Sequence, residues 1–282
     1  MEKICWANTN DFNESDFVII GIPDESQSHA HRQGTDKAPS KIREISNQRD
    51  LYNRNKIKSL GLPFTGTSKK VYDFGNIDRN QIEKNYTEII REGKIPISIG
   101  GDHSITTQII KTISNQLGKL SLVYFDAHPD FVSSTSNYYG SILHDILPYI
   151  ETKSSIQIGI RTPEKEELDN IKKHDLKVIT PFEIVQNGIK KTTDSILNTL
   201  GKNVYVSFDM DCIDPAHAPG VSVPVPMGLG SVEATSILKS ISENKISGMD
   251  IMEVCPQYDV NDRTSHLASR MIAEVIFAAS LK

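Results

Sequence analysis

What this chain has little of narrows its function before any motif is considered. Three cysteines, Cys5, Cys212 and Cys255, occur in 282 residues, and none lies in a CxxC pair. An odd, scattered set of thiols points to a reduced, cytoplasmic setting. No apolar stretch approaches the roughly 20 residues of a membrane span. Basic residues are outnumbered, the net charge is −5, and no basic block occurs, which argues against a nucleic-acid-binding surface. The opening residues, MEKICWANTNDFNESD, are polar and acidic and do not read as a signal peptide. There is no internal repeat, no low-complexity tract and no linker, so residues 1–282 are expected to form a single domain. Hydrophobic residues at 38% and charged residues at 24% allow a sizeable core and exclude global disorder.

Strand and helix patterns alternate about eight times along the chain. Strands are expected at Asp16 to Pro23, Val71 to Phe74, Ile95 to Ile99, Leu120 to Phe125, Ser155 to Ile160, Leu176 to Ile179, Val204 to Asp209 and Ile246 to Val254. Helices are expected at Pro39 to Asn47, Gln81 to Arg91, from Ser104 to about Asn115, Ser141 to Ile150, Glu164 to Lys173, Pro181 to Leu200, Ser231 to Ser242 and Thr264 to Ser280. Residues 50 to 70 are weakly patterned. Glu25 to Ala38 reads as a long loop over one end of the sheet, carrying His29 and His31. Such alternation implies a three-layer α/β/α fold with a largely parallel sheet, and on counts alone a closed eight-stranded barrel is the alternative.

The stretch Leu120 to Asp130 (LSLVYFDAHPD) organises the rest. A buried strand runs into Asp126, His128 and Asp130, which share one face if the chain stays extended. Two carboxylates and an imidazole on one face call for a cation among them. The strand VYVSFD repeats the logic with Asp209 and Asp211, before Asp214-Pro215 turns the chain. His103 follows Gly100-Gly101 at a strand-to-helix handover, where glycines allow close backbone approach. All six side chains fall at the carboxyl ends of strands, where ligands of open parallel sheets collect. An aspartate at a strand end is commonly only a turn former or a helix cap. Caps, however, do not require two histidines.

Four aspartates and two histidines exceed the three protein ligands of a catalytic zinc. They suit two divalent ions sharing carboxylates, and oxygen-rich ligation without thiolate favours Mn²⁺. Two such ions, about 3.5–4 Å apart, can hold a hydroxide nucleophile at neutral pH. The uncharged segment Gly220 to Gly230 is expected to pack beside the site. Cys212, Met249, Met252 and Met271 read as core. His29, His31, His174, His217 and His266 read as surface or loop residues, and Glu164 to Glu167 as a solvated helix start.

Three segments, Gly100-Gly101-Asp102-His103-Ser104, Asp126-Ala127-His128-Pro129-Asp130 and Ser207-Phe208-Asp209-Met210-Asp211-Cys212-Ile213-Asp214-Pro215, closely resemble the signatures of the ureohydrolases. That superfamily includes arginase, agmatinase, guanidinobutyrase and formiminoglutamase. Weaker resemblance extends from Gly34 to Asp259. It implies an α/β/α fold with a mainly parallel eight-stranded sheet and a dimanganese centre. His103, Asp126, Asp130 and Asp209 would hold one ion; Asp126, His128, Asp209 and Asp211 would hold the other. Glu253 would bind the guanidinium group, Asp130 would take and return the proton, and the chain would assemble as a homo-trimer or hexamer. Where the family usually has a His-Gly pair, this sequence has Tyr139 before Gly140, and His144 follows five residues later. Tyr139 and His144 are therefore the candidates for contact with the substrate's far end. Ile158 to Thr162 and Pro256 to Asp259 are most similar to agmatinases, which implies conversion of agmatine to putrescine and urea. Formiminoglutamase or arginase activity is the alternative. A catalytically silent, metal-dependent binding protein is the alternative of a different class, opposed by the full ligand set together with Glu253.

Overall fold

A sheet of eight parallel strands runs through the computed structural model, which describes residues 2–50, 69–244 and 246–279. The strands are β1 (Phe17–Ile22), β2 (Val71–Asn76), β3 (Ile95–Gly100), β4 (Ser121–Phe125), β5 (Ile156–Ile158), β6 (Lys177–Ile179), β7 (Val204–Asp209) and β8 (Ile246–Met252). Their spatial order is β2-β1-β3-β8-β7-β4-β5-β6. The order is open, with β2 and β6 at its edges, so the closed barrel is excluded. The weakly patterned stretch 50 to 70 falls almost wholly, and the expected helix end at Ser280 entirely, outside the described residues.

Alternation along each strand divides the core into two layers. Phe17, Ile19, Val123, Phe125, Val206 and Phe208 face one layer. Val18, Ile20, Leu122, Tyr124 and Tyr205 face the other. Because helices cover both faces, the central strands read as continuous apolar runs. The first layer is closed by α1 (Ala38–Asp50), α6 (Pro181–Asn187), α7 (Ile189–Leu197), α8 (Ser231–Ser242) and α9 (Arg263–Ala278). The second is closed mainly by α2 (Ile82–Arg91), α3 (Ile105–Leu117) and α4 (Ile142–Ile146), with α5 (Lys165–Lys173) contributing Ile171.

Two expected helices are interrupted. The one expected over Ser141 to Ile150 is α-helical only at Ile142–Ile146 and tightens to a 3-10 turn at Leu147–Tyr149. Pro148 has no N–H, and its ring would clash with the carbonyl four residues back. The one expected over Pro181 to Leu200 breaks at Gly188, whose φ of 77° suits glycine. At the sheet edge, a buried ion pair ties α1 to β2. Arg43 meets Asp73 through Nε at 2.9 Å and Nη2 at 2.8 Å, and Asp73 also accepts from the Ile4 and Gly75 amides.

β3, β8, β7 and β4 are four successive strands at the middle of the sheet. Every metal-type residue singled out above, and Glu253, lies at or just beyond their carboxyl ends.

Candidate metal centre

His103 reaches the centre because β3 ends in glycine. A Cβ on Gly100 would collide with the Met252 side chain, and one on Gly101 with the Asp24 carbonyl oxygen. The backbone can therefore pass between the ends of β8 and β1, leaving the His103 ring fully enclosed.

The other ligand-type residues converge by turns, not by extension. Past β4 the chain leaves the strand, and Asp130 is left-handed at φ 48°. Asp126 Oδ1 accepts from the His128 amide at 2.6 Å. Past β7, Met210–Cys212 is a 3-10 turn, and Asp209 Oδ1 accepts from the Asp211 amide at 2.7 Å. The extended-chain reading of both motifs is thus corrected. Each leading aspartate bonds its own backbone two residues on, as aspartates do in turns. That bond curls the chain and uses one carboxylate oxygen.

The carboxylates also meet the imidazoles. His103 Nδ1 is 3.1 Å from Asp126 Oδ2, 3.1 Å from Asp209 Oδ2 and 3.6 Å from Asp130 Oδ2. His128 Nδ1 is 3.3 Å from Asp126 Oδ1 and 3.0 Å from Asp211 Oδ2. Two groups able to hold a metal result: His103, Asp126 and Asp130, and Asp126, His128 and Asp211. Asp126 belongs to both, and Asp209 lies alongside through His103.

Electrostatically the cluster is short of positive charge. Burial opposes the charged form of both histidines, yet Asp126 and Asp209 raise His103, and Asp211 and Asp126 raise His128. Burial likewise opposes Asp126, but pairing with both histidines holds it below the usual carboxylate range. Burial and neighbouring carboxylates push Asp130 and Asp209 upward. Asp126 Oδ2 is buried and accepts no hydrogen bond, although His103 Nδ1 is close. A buried carboxylate oxygen with no donor is poorly solvated unless a cation takes its lone pair. The donor set of carboxylates and imidazoles without thiolate therefore fits hard or borderline divalent ions.

Glu253 stands beside the cluster at a left-handed position, φ 63°, which ends β8 at Met252 short of the expected Val254. Its Oε1 accepts from the His103 amide at 2.7 Å, and its Oε2 accepts from the Ser222 hydroxyl. Burial, then the charge of Asp102, pushes its carboxyl up to about 7. Ser222 places the apolar segment 220–230 beside the site, as expected.

Residues 15–278 match the family model described as the arginase family. The chain belongs to the arginase family. An agmatinase of Neisseria meningitidis serogroup C is 31% identical over 283 residues, spanning 96% of this chain and 89% of the relative. The proclavaminate amidinohydrolase of Streptomyces clavuligerus is 32% identical over 285 residues, spanning 93% and 87%. The crystal structure of the agmatine ureohydrolase of Thermoplasma volcanium superposes with a TM-score of 0.85 at 29% identity, covering 99% of this chain and 94% of that one. The chain is therefore an arginase-family ureohydrolase with the family's open parallel sheet.

In this arginase-family chain the loop after the second motif is held from α5. Glu167, buried, accepts from the Phe131 amide at 3.1 Å, and Glu166 accepts from the Ser133 and Ser134 amides at 3.0 and 2.7 Å. The reading of Glu164 to Glu167 as merely solvated is thus corrected. Tyr139 stands at the site: burial, then Asp130 and Glu253, raises its phenol. Tyr138 stacks on His29 at 5.1 Å, so the 25–38 loop does border this end of the sheet. His144 makes no hydrogen bond or ring contact with the centre among the described residues. It lies on α4, half-buried, one helical turn past Tyr139.

Sequence reading missed Tyr124, Ser207 and Asp250, all fully enclosed behind His103. Tyr124 and Ser207 look like ordinary strand residues. A charge inside the apolar run Ile246 to Met252 was the available signal for Asp250, because a lone buried aspartate is rare without partners. Among the described residues no helix is long and apolar enough to cross a membrane.

Proposed function

We propose that this protein hydrolyses the guanidino group of a small substrate, agmatine ahead of arginine, releasing urea and, from agmatine, putrescine. One Mn²⁺ would be held by His103, Asp126, Asp130 and Asp209, and a second by Asp126, His128, Asp209 and Asp211. The observation that carries this reading is the position of Asp126, shared between two imidazole-bearing groups with one oxygen lacking a donor. When bound, such a pair of ions supplies Lewis acidity and lowers the pKa of water.

Glu253 is oriented by the His103 amide and the Ser222 hydroxyl. A guanidinium adds charge-assisted hydrogen bonds to such a carboxylate. Asp130 accepts a proton during attack on the guanidinium carbon and returns it to the leaving nitrogen. Tyr124 donates to Asp130 Oδ2 at 2.6 Å and holds that carboxylate in place. The agmatinase relatives support agmatine ahead of arginine, while the amidinohydrolase relative makes a guanidino acid the second reading.

Urea release from agmatine, arginine and guanidinobutyrate, with formamide release from formiminoglutamate, tests the proposal. Agmatine should give the highest kcat/KM. Formamide without urea would place the chain with the formiminoglutamases, and no turnover of any of the four would favour a binding role.

A further inference from the structure

Ser207 has one hydroxyl proton and two near neighbours able to claim it, Thr106 Oγ1 lying further off at 3.4 Å with its own proton on Asp250. The Ser207 oxygen is 2.8 Å from Asp250 Oδ1 and 2.8 Å from His103 Nε2. Asp250 can only be a sink for protons here. It accepts from Tyr205 Oη at 2.8 Å, from Thr106 Oγ1 at 2.9 Å and from the Phe208 amide at 3.3 Å. A carboxylate so surrounded is an acceptor, so the Ser207 proton points to it. The Ser207 oxygen is then left to accept, and the hydrogen between it and His103 belongs to Nε2.

The other ring nitrogen is treated in the opposite way. Tyr124 is stacked on His103 at 4.8 Å, and its hydroxyl is 3.1 Å from Nδ1. The one proton of that hydroxyl goes to Asp130, 2.6 Å away. Tyr124 therefore gives nothing to Nδ1, which faces only oxygens: Tyr124, Asp126, Asp209 and Asp130.

We infer that Asp250 is a positioning residue of the metal centre, which acts through Ser207 to fix the His103 proton on Nε2 and keep the Nδ1 lone pair for a cation. Asp250 touches neither a cation nor the substrate. It is a partner of a partner, of the kind that fixes ligand tautomers at metal sites. The inference rests on the proposed metal centre but adds a residue and a tautomer to it.

Asp250→Asn tests it, because the amide keeps the shape and reverses the polarity. Its NH₂ group can donate to Ser207, whose proton then turns to His103 Nε2 and drives the imidazole hydrogen to Nδ1. Full-length protein stripped of metal is titrated with Mn²⁺ alone, with binding followed by calorimetry and by the loss of free-ion electron paramagnetic resonance. Wild type should take up two ions. Asp250→Asn should lose about 10- to 100-fold in affinity for one of them and keep the other. Tyr205→Phe removes a different donor to Asp250 and should bind both ions as wild type does. A role in packing alone would make those two variants lose affinity alike, and that result overturns the inference. So does wild-type affinity at both sites in Asp250→Asn. If Asp250→Asn does not fold, Ser207→Ala decides: a loss confined to one ion supports the inference, and two wild-type affinities overturn it. A wild type that takes up no Mn²⁺ removes the metal centre itself.

Discussion

Asp126 belongs to the cluster and Glu253 stands beside it; the proposed function gives them different roles, which single substitutions should separate. Asp126→Asn exchanges a shared carboxylate for a neutral amide, so both bound Mn²⁺ and urea release should fall to background in metal analysis and assay. Glu253→Gln should keep both ions and lose turnover by about 10² or more, the scale set by removing one electrostatic contact to the reacting group. Near wild-type turnover in that variant would take the guanidinium role away from Glu253. Tyr139→Phe should mainly raise KM, whereas His144→Ala should leave both constants within about twofold, since His144 follows one helical turn further on, on α4. The reverse pattern, with a neutral ionisation lost from the pH–rate profile of His144→Ala, would make His144 the shuttle. At this scale the sequence exposed which residues meet, because each sits where a buried strand ends. It did not expose how they meet. Left-handed Asp130 and Glu253 are conformations that non-glycine residues seldom adopt, and Tyr124, Ser207 and Asp250 are disguised by the strands that carry them.

Among the elements, the clearest dependence is that of β2 on α1 through Arg43 and Asp73. Both side chains are sealed from solvent. Asp73→Asn strands a buried guanidinium and should destabilise the fold by about 3–5 kcal/mol in denaturant titration. Burial raises the Asp73 carboxyl, but Arg43 outweighs it and holds the folded value below the ordinary one. The pair's contribution is therefore complete above the unfolded value, near 3.9, and is lost as the pH falls through the lower folded value. Acid unfolding of wild type should be steeper there than that of Asp73→Asn. Element boundaries were legible where one signal dominates, as for β7 and α8, whose observed bounds are those expected. They were misread where a single residue overrides periodicity, Pro148 within an apolar run and Gly188 within a polar one.

For the molecule as a whole, metal should act as a stabiliser of an already folded sheet, because the two core layers are built from apolar side chains and use none of the ligand-type residues. Mn²⁺ at about 100 times its Kd should add about 2.7 kcal/mol of stability per site, visible as a higher Tm that a chelator reverses. Asp126→Asn should show no such shift. Sedimentation should return three or six chain masses if the proposed assembly is right. The parallel sheet was legible from alternation, its openness only from the family resemblance, and the strand order from neither, since periodicity says nothing about which strands become neighbours. That order bears on how the protein is made. β8 is the last of the described strands in sequence yet lies between β3 and β7. Without β8 the order falls into two half-sheets, β2-β1-β3 and β7-β4-β5-β6, which no other strand joins among the described residues. His103 is on one half, Asp126, His128, Asp130, Asp209 and Asp211 are on the other, and Glu253 follows β8. A nascent chain is thus unable to assemble the centre early, and β8 acts as a keystone whose late insertion joins the halves and completes the site in one step.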